Sequence, residues 1–286
     1  MVVLLFIVNA CVTLSHFPKA WKTSKVVVIG KPNKQSYESL SSFLPISLIN
    51  TLEKVLEKVI LGRALCLSKS HHWLNENQHG FTSGKSTESA VHSLIAFCES
   101  GKISKGVSAC AFLDIKSAFD AAWHPSILCS LVKLKCPHYL ICLIASFLAN
   151  HSAILSVDGE ELLITINLGC PQGGVLSPFL WLILINEVLE SVFPFPALIL
   201  GYADGFTLAT WHKDPAMATL HLQLMCNSVI AWCSTRKLSL NEAKKIFMLI
   251  GHKGDSALLN ICINGVRIPP SLEVQLLGFT IDHRLS

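Results

Sequence analysis

No apolar run in this sequence is long and clean enough to read as a membrane span, although apolar residues fill 51% of its 286 positions and mean hydropathy is +0.50. Charged or turn residues interrupt every run, and the nearest approach, Trp181 to Leu189, contains Asn186 and Glu187. The apolar start, Met1 to Leu14, lacks the basic n-region of a signal peptide and meets Ser15-His16-Phe17-Pro18 without a small-residue cleavage site. It therefore reads as a core helix rather than an export signal. CxxC pairs are missing too. Eleven cysteines, an odd number at irregular spacings, argue against a disulfide framework and a zinc site, and read as reduced, buried thiols inside a cell. No internal repeat, low-complexity tract or Ser/Gly linker occurs. What remains is a chain long enough for one large or two modest domains with a substantial core. Its formal charge of +4 and pI near 8.5 are compatible with nucleic acid without demanding it. Lys19, Lys22, Lys25, Lys31 and Lys34 concentrate early, where they read as a solvated face flanking a strand.

Helical and strand patterns alternate along the chain. Lys25 to Ile29 is a buried strand, followed by a turn or loop over Gly30 to Lys34. From Ile46 onward, Ile49, Leu52, Val55, Leu56, Val59 and Ile60 recur at helical spacing, with Glu53, Lys54, Glu57 and Lys58 on the opposite face. A second helix follows the caps Ser86-Thr87. Val107 to Leu113 is an apolar strand that ends on Asp114. Helices follow at about Pro125 to Lys135 and Tyr139 to Asn150, and Asp158-Gly159 marks a hairpin between Ala153–Val157 and Leu162–Ile166. Val175 to Val192 is helical, two short strands flank Ala203-Asp204-Gly205, and Ala218 to Trp232 is helical again. Ile246 to Ile250 is a strand, and Cys262 to Ile268 is a hairpin turning at Asn264-Gly265. The fold class is mixed α/β (α+β).

Asp114 and Asp204 both end apolar strands, so they could converge at one sheet edge and hold divalent metal; taken alone, each also fits a loop or helix cap. The surrounding residues decide between these. Phe17-Pro18-Lys19-Ala20-Trp21-Lys22, Pro45-Ile46-Ser47-Leu48, Gln78-His79-Gly80-Phe81 and Phe112-Leu113-Asp114-Ile115-Lys116-Ser117-Ala118-Phe119-Asp120 appear in that order. Gly169 to Pro178 with its Pro171-Gln172-Gly173, Tyr202-Ala203-Asp204-Gly205, Leu238-Ser239-Leu240-Asn241 with Lys244, and Leu277-Gly278 complete the series. This ordered set, spanning nearly the whole chain, resembles the reverse transcriptase domain of non-LTR (LINE-type) retrotransposons.

The resemblance implies a right-hand polymerase fold, with fingers over 1–105 and a palm over 106–286 built on an antiparallel sheet, and with the thumb absent. It implies RNA-directed DNA polymerisation on an RNA template and a DNA primer with deoxynucleoside triphosphates, two Mg2+ ions, no membrane, and an intracellular place in nucleus or cytoplasm. Asp114 and Asp204 would hold metal with the backbone carbonyl of Ile115. Lys244 would serve the departing pyrophosphate, although a solvated lysine before a strand fits equally. Phe119 would stand against the sugar of the incoming nucleotide; without the resemblance it reads as a core aromatic. Gln172 and Gly173 would lie by the template and nascent pair, and Gly278 near template or primer. Lys31 would meet the triphosphate, or be a solvated loop lysine.

Four departures fall on positions that matter in this pattern. Gly205 stands where the family has a second Asp, Leu44 and Thr82 where it has Arg, and Leu182 where it has Asn. Carboxylate and fork-shaped phosphate donors are lost while the apolar pattern survives. That combination implies a decayed copy, and an alternative function as a catalytically inactive nucleic-acid-binding remnant. A glycine at the hairpin tip is also expected to take positive φ at Gly205.

Overall fold

The computed structural model describes residues 2–30, 32, 36–39, 42–157, 160–252, 254 and 259–285. The chain packs as two compact units, 1–73 with 117–184, and 74–116 with 185–286. Strands and helices are numbered in chain order.

The first unit is built on a four-stranded sheet of order β2-β1-β4-β5, with β1 Thr23–Gly30, β2 Phe43–Leu48, β4 His151–Val157 and β5 Glu160–Ile166. β1 pairs antiparallel with β2 and parallel with β4. Helices α1 (Val2–Thr13), α2 (Thr51–His71), α4 (Ala118–Ala121), α5 (His124–Lys133) and α6 (His138–Leu148) belong to this unit, and α7 (Ser177–Leu189) begins in it. Both the Asp158-Gly159 turn and Lys31 lie outside the described residues.

Three expectations need correction here. The helix read from Ile46 starts at Thr51, because Phe43 to Leu48 is a strand on β1 and the Asn50 side chain accepts from Leu52 N at 2.9 Å, a cap that fixes the boundary. The N-terminal helix forms, but only Val8, Cys11 and Val12 are buried; Val2, Val3, Leu5 and Phe6 stay exposed, so one stripe alone joins the core. Lys22 is buried rather than solvated, because its ammonium donates to the Ser146 and Ala149 carbonyls at the end of α6 and so caps that helix.

The inward face of α2 also differs from the expected one. Glu53, Leu56, Glu57, Ile60, Ala64 and Ser68 are buried, whereas Leu52 is exposed. Helical spacing alone cannot tell which stripe turns inward when a charged residue finds a buried partner far away in sequence. Burial first, then the neighbouring Glu57, push the Glu53 carboxyl from its ordinary 4.5 up to about 8. His151, whose Nδ1 lies 4.0 Å from Glu53 Oε1, is pushed by burial down to about 4, so the pair is neutral at mid pH. A sign follows for stability. Below pH 4.5 Glu53 is protonated folded and unfolded; between 4.5 and 8 only the unfolded chain ionises, and stability is lost as pH rises through that window. Glu53→Gln is therefore expected to be more stable than the native chain by ~1–3 kcal/mol at pH 8 and little changed at pH 4.5. Urea midpoints at the two pH values check this, and an equal shift at both would rule out a neutral Glu53.

The second unit is built on a five-stranded sheet of order β11-β8-β3-β7-β6. Its strands are β3 Val107–Asp114, β6 Ala197–Tyr202, β7 Gly205–His212, β8 Ile246–Ile250 and the two-residue β11 Pro270–Ser271. Its pairings are antiparallel except at the edge, where β11 runs parallel to β8. Two further hairpins, β9 Ile261–Ile263 with β10 Val266–Ile268 and β12 Glu273–Leu276 with β13 Phe279–Asp282, complete the described strands. Along β3, Cys110 and Phe112 join Val91, Leu94 and Cys98 of α3 (Thr87–Ile103) and Val274 and Ile281 of the last hairpin in one core. Period-two alternation leaves Ala109, Ala111 and Leu113 for the other face, and α8 (Pro215–Thr235) packs on β3 and β7. Among the described residues α8, not the Trp181 to Leu189 stretch, is the helix long and apolar enough to cross a membrane by length and composition. Its Leu222, Met225, Cys226 and Val229 are buried in this unit.

Candidate active site

The architecture of β3 puts a carboxylate at a sheet end. The six residues Ser108 to Leu113 are buried in the sheet, and the last residue of the strand, Asp114, emerges half-buried where the sheet stops. On the neighbouring strand the chain turns at Ala203-Asp204 between Tyr202 and Gly205, which pair with each other, while Gly205 pairs with Asp114. Ile115 N donates to the Asp204 carbonyl at 2.8 Å and Asn241 N to the Asp114 carbonyl at 2.7 Å. These backbone bonds lock the two acids side by side independently of their side chains.

Lys244 Nζ lies 3.0 Å from Asp114 Oδ2, and Asn241 Nδ2 donates to the same oxygen at 3.1 Å. The lysine side chain is 61% exposed, so this ion pair contributes little to stability and the lysine is free to exchange partners. Burial first, and the Asp114 carboxylate second, push the Asp204 carboxyl above its ordinary 3.8, against the pull of its own N–H and of Lys244. The acids open on a cleft of about 460 Å³ also lined by Tyr202, Gly205, Gln275 and Leu277. A larger cleft, about 810 Å³, lies at the other end of β3 among Lys102, Lys105, His252, His283 and Arg284. Among the described residues its lining holds no carboxylate.

Gln78-His79-Gly80 braces the acid-bearing turn from below. His79 N donates to the Gly201 carbonyl at 2.8 Å, and a Cβ on Gly80 would fall 2.2 Å from Ala203 N. Glycine is required there by close approach. Ala203 itself takes φ of 52°, a left-handed conformation costly for a residue with a Cβ, at the tip that carries Asp204. Gly205, by contrast, is not among the positive-φ glycines, which corrects the expectation for the tip. A Cβ there would meet the Tyr202 and Leu113 carbonyls at 3.5 and 3.7 Å, ordinary contact distances.

The remaining sequence candidates divide cleanly. Phe119, Gln172 and Gly173 come together in the other unit, where Cys170 N donates to the Phe119 carbonyl at 2.8 Å and Gln172 Nε2 donates to both Asp120 carboxylate oxygens at 3.0 Å. The Phe119 ring is half-buried, 6.0 Å from Trp181. Gly173 sits at φ of 106°, and a Cβ would lie 3.1 Å from the Ser47 carbonyl, so the close approach that its missing side chain permits is to its own chain. Gly278, at φ of 89°, turns the β12–β13 hairpin. Of the departures, Leu44 is exposed on β2, Thr82 donates to the Gly80 carbonyl at 3.1 Å, and Leu182 is buried. Asn241, Asp120 and Glu57 are functional-looking contacts that were not singled out from sequence; the first two lie inside quoted motifs, but nothing in those motifs signalled their side-chain partners.

Hard oxygen donors on two adjacent carboxylates suit a divalent cation such as magnesium, which takes one or two carboxylates and completes its shell with water and phosphate. Among the described residues no group of three or more His, Cys, Asp and Glu side chains gathers in a metal-binding arrangement. A sheet end bearing paired acids at the mouth of a cleft is an arrangement that metal-dependent phosphoryl-transfer enzymes use. Residues 29–281 match the reverse transcriptase (RNA-dependent DNA polymerase) family, and the chain belongs to it.

Curated relatives agree with the LINE-type resemblance. The chain is 30% identical over 289 residues to the RNA-directed DNA polymerase from mobile element jockey of Drosophila melanogaster, covering 99% of this chain and 31% of that protein. It is 30% identical over 291 residues to the probable RNA-directed DNA polymerase from transposon BS of the same fly, covering 99% of this chain and 32% of that protein. The chain thus spans about a third of these relatives' length. Among solved structures, apo telomerase from Candida tropicalis superposes with a TM-score of 0.61 at 14% identity, covering 92% of this chain and 47% of that one. Telomerase from Candida albicans, in complex with a TWJ fragment of telomeric RNA, gives 0.58 at 14%, covering 97% and 49%. At such identities the likeness establishes a shared mixed α/β fold.

Proposed function

We propose that this chain is the catalytic reverse transcriptase domain of a retrotransposon, a right-hand polymerase that extends a DNA primer on an RNA template within the cell. Residues 1–105 act as fingers and 106–286 as palm; these labels follow function along the chain and cut it differently from the two packed units. The observation that carries the reading is the backbone-locked pair of Asp114 and Asp204 beside Lys244 at the mouth of a cleft.

Asp114, Asp204 and the Ile115 carbonyl would hold two magnesium ions, which when bound acidify the primer 3′-hydroxyl and offset charge on the triphosphate. The primer 3′-hydroxyl would give its proton to solvent as its oxygen bonds the α-phosphorus, the bond from that phosphorus to the bridging β-phosphate oxygen would break, and pyrophosphate would depart. Lys244, released from Asp114, neutralises that leaving group. Gln172 and Gly173 present backbone and amide to the template and nascent pair, Gly278 lies toward template or primer, and Lys31 is assigned to the triphosphate. Phe119 excludes a ribose 2′-hydroxyl. Gly205 leaves the site one carboxylate short and lowers its activity.

Purified protein tested for magnesium-dependent primer extension on RNA, with Asp114→Ala as control, decides the matter. Extension lost in the control supports the reading. Two carboxylates instead of three favour one second reading, an inactive nucleic-acid-binding remnant, and hybrid binding without extension would establish it. In an active background, Phe119→Val is expected to weaken discrimination against ribonucleotides by roughly 10 to 100-fold, the range of one lost steric contact of 1–3 kcal/mol. Ratios of kcat/KM for deoxy- and ribonucleotides measure this, and an unchanged ratio removes Phe119 from the role.

A further inference from the structure

We infer that Glu57 is a positioning residue for the Pro171–Leu176 loop, setting from inside the unit where Gln172 and Gly173 are presented; this rests on the reading of that loop as a nucleotide contact. Glu57 is fully buried on α2. Its Oε2 accepts from Leu176 N at 2.7 Å. This amide stands at the entrance to α7, where an orphan N–H otherwise needs a partner.

The loop is shaped to receive the carboxylate. A Cβ on Gly174 would lie 3.1 Å from Glu57 Oε2 and 2.6 Å from Ser177 Oγ, so this position must be bare for both bonds to form. Ser177 Oγ and Gly174 N donate to the Pro171 carbonyl at 2.9 and 3.0 Å, which closes the turn on itself. Two outer ties remain, Ser47 N to the Gln172 carbonyl at 3.0 Å and the Gln172 amide to Asp120. The Asp120 contact is solvent-exposed and weak, whereas the Glu57 bond is short and desolvated, so Glu57 dominates the loop's position. α2, the loop and α4 all belong to one unit, so the arrangement is internally complete.

The test compares Glu57→Leu and Glu57→Gln in the full chain by amide hydrogen exchange at Leu176, and by KM and kcat for deoxynucleotides. Loss of the buried acceptor in the Leu variant is expected to speed exchange at this amide on the order of 10 to 100-fold, with β3 amides unchanged. KM should rise on the order of 10-fold with kcat little altered, and Gln, which keeps one acceptor oxygen, should restore part of both. A native exchange rate at Leu176 in a folded Leu variant overturns the inference, as does raised exchange with native KM. Should the Leu variant not fold, the Gln variant carries the test. A neutral amide accepts less strongly than a carboxylate, so exchange should still quicken, and native rates would sink the idea. If the native chain extends no primer yet exchange responds, the hold on the loop stands and the polymerase reading fails instead.

Discussion

Asn at either Asp114 or Asp204 is expected to abolish magnesium-dependent primer extension, a loss beyond the ~100-fold that changes one shell further from a metal reach. The site has no reserve, because Gly205 supplies no side chain that could take over. The geometry also predicts that the loss is catalytic rather than structural. Asp204 holds the neighbouring strand through its backbone carbonyl, bonded by Ile115 N at 2.8 Å, and Asn keeps that bond. At position 114 the Asn241 backbone bond likewise survives, and only the exposed Lys244 loses its ionic partner. Thermal melting should therefore move little while extension disappears. Extension at native rates in both variants would place the metal elsewhere.

Gly205→Asp is expected to act in the opposite direction, raising magnesium-dependent extension by at least about 10-fold. Residue 205 is the direct cross-strand partner of Asp114, and its Cβ position meets only carbonyl oxygens at ordinary distance. Side chains directly opposite in an antiparallel pair share a face with Cβ atoms ~5 Å apart, so the new carboxylate would stand beside Asp114. Like charges so placed repel, which gives a second signature: the variant should melt below the native chain without metal and recover when magnesium is added. Leu44→Arg and Thr82→Arg test separately whether lost phosphate donors also limit the rate. A native chain that already extends primers as well as Gly205→Asp would show that the missing acid is no impairment.

Both of these expectations rest on residues that could be read from sequence, and the reason is physical. An apolar strand that ends on an acid announces a sheet edge, and β3, β6, β7 and β8 lie within a residue or a few of where the apolar runs put them. The Ser86 cap was equally plain; in the structure it forms a reciprocal box with Ser89. Burial of charge was not legible. Lys22, Glu53 and Glu57 look like the solvent face of their elements, and only the carbonyls at the end of α6 for Lys22 and the Leu176 amide at the start of α7 for Glu57 explain why those two turn inward. The same holds for the bond between Gln172 and Asp120, which joins two motifs whose order along the chain says nothing of their contact.

The position of β3 in its sheet has a consequence for the order of assembly. Its hydrogen-bonding neighbours β7 and β8 both follow much later in the chain, after the whole of 117–184 has been laid into the other unit. During synthesis the strand that carries Asp114 thus emerges with no sheet to join. Its alternating apolar residues must wait, covered at most by α3, until the β6–β7 hairpin arrives. The two acids cannot meet before that moment, so the acid-bearing end of this sheet is among the last features to form, and a chain released early would carry Asp114 without Asp204.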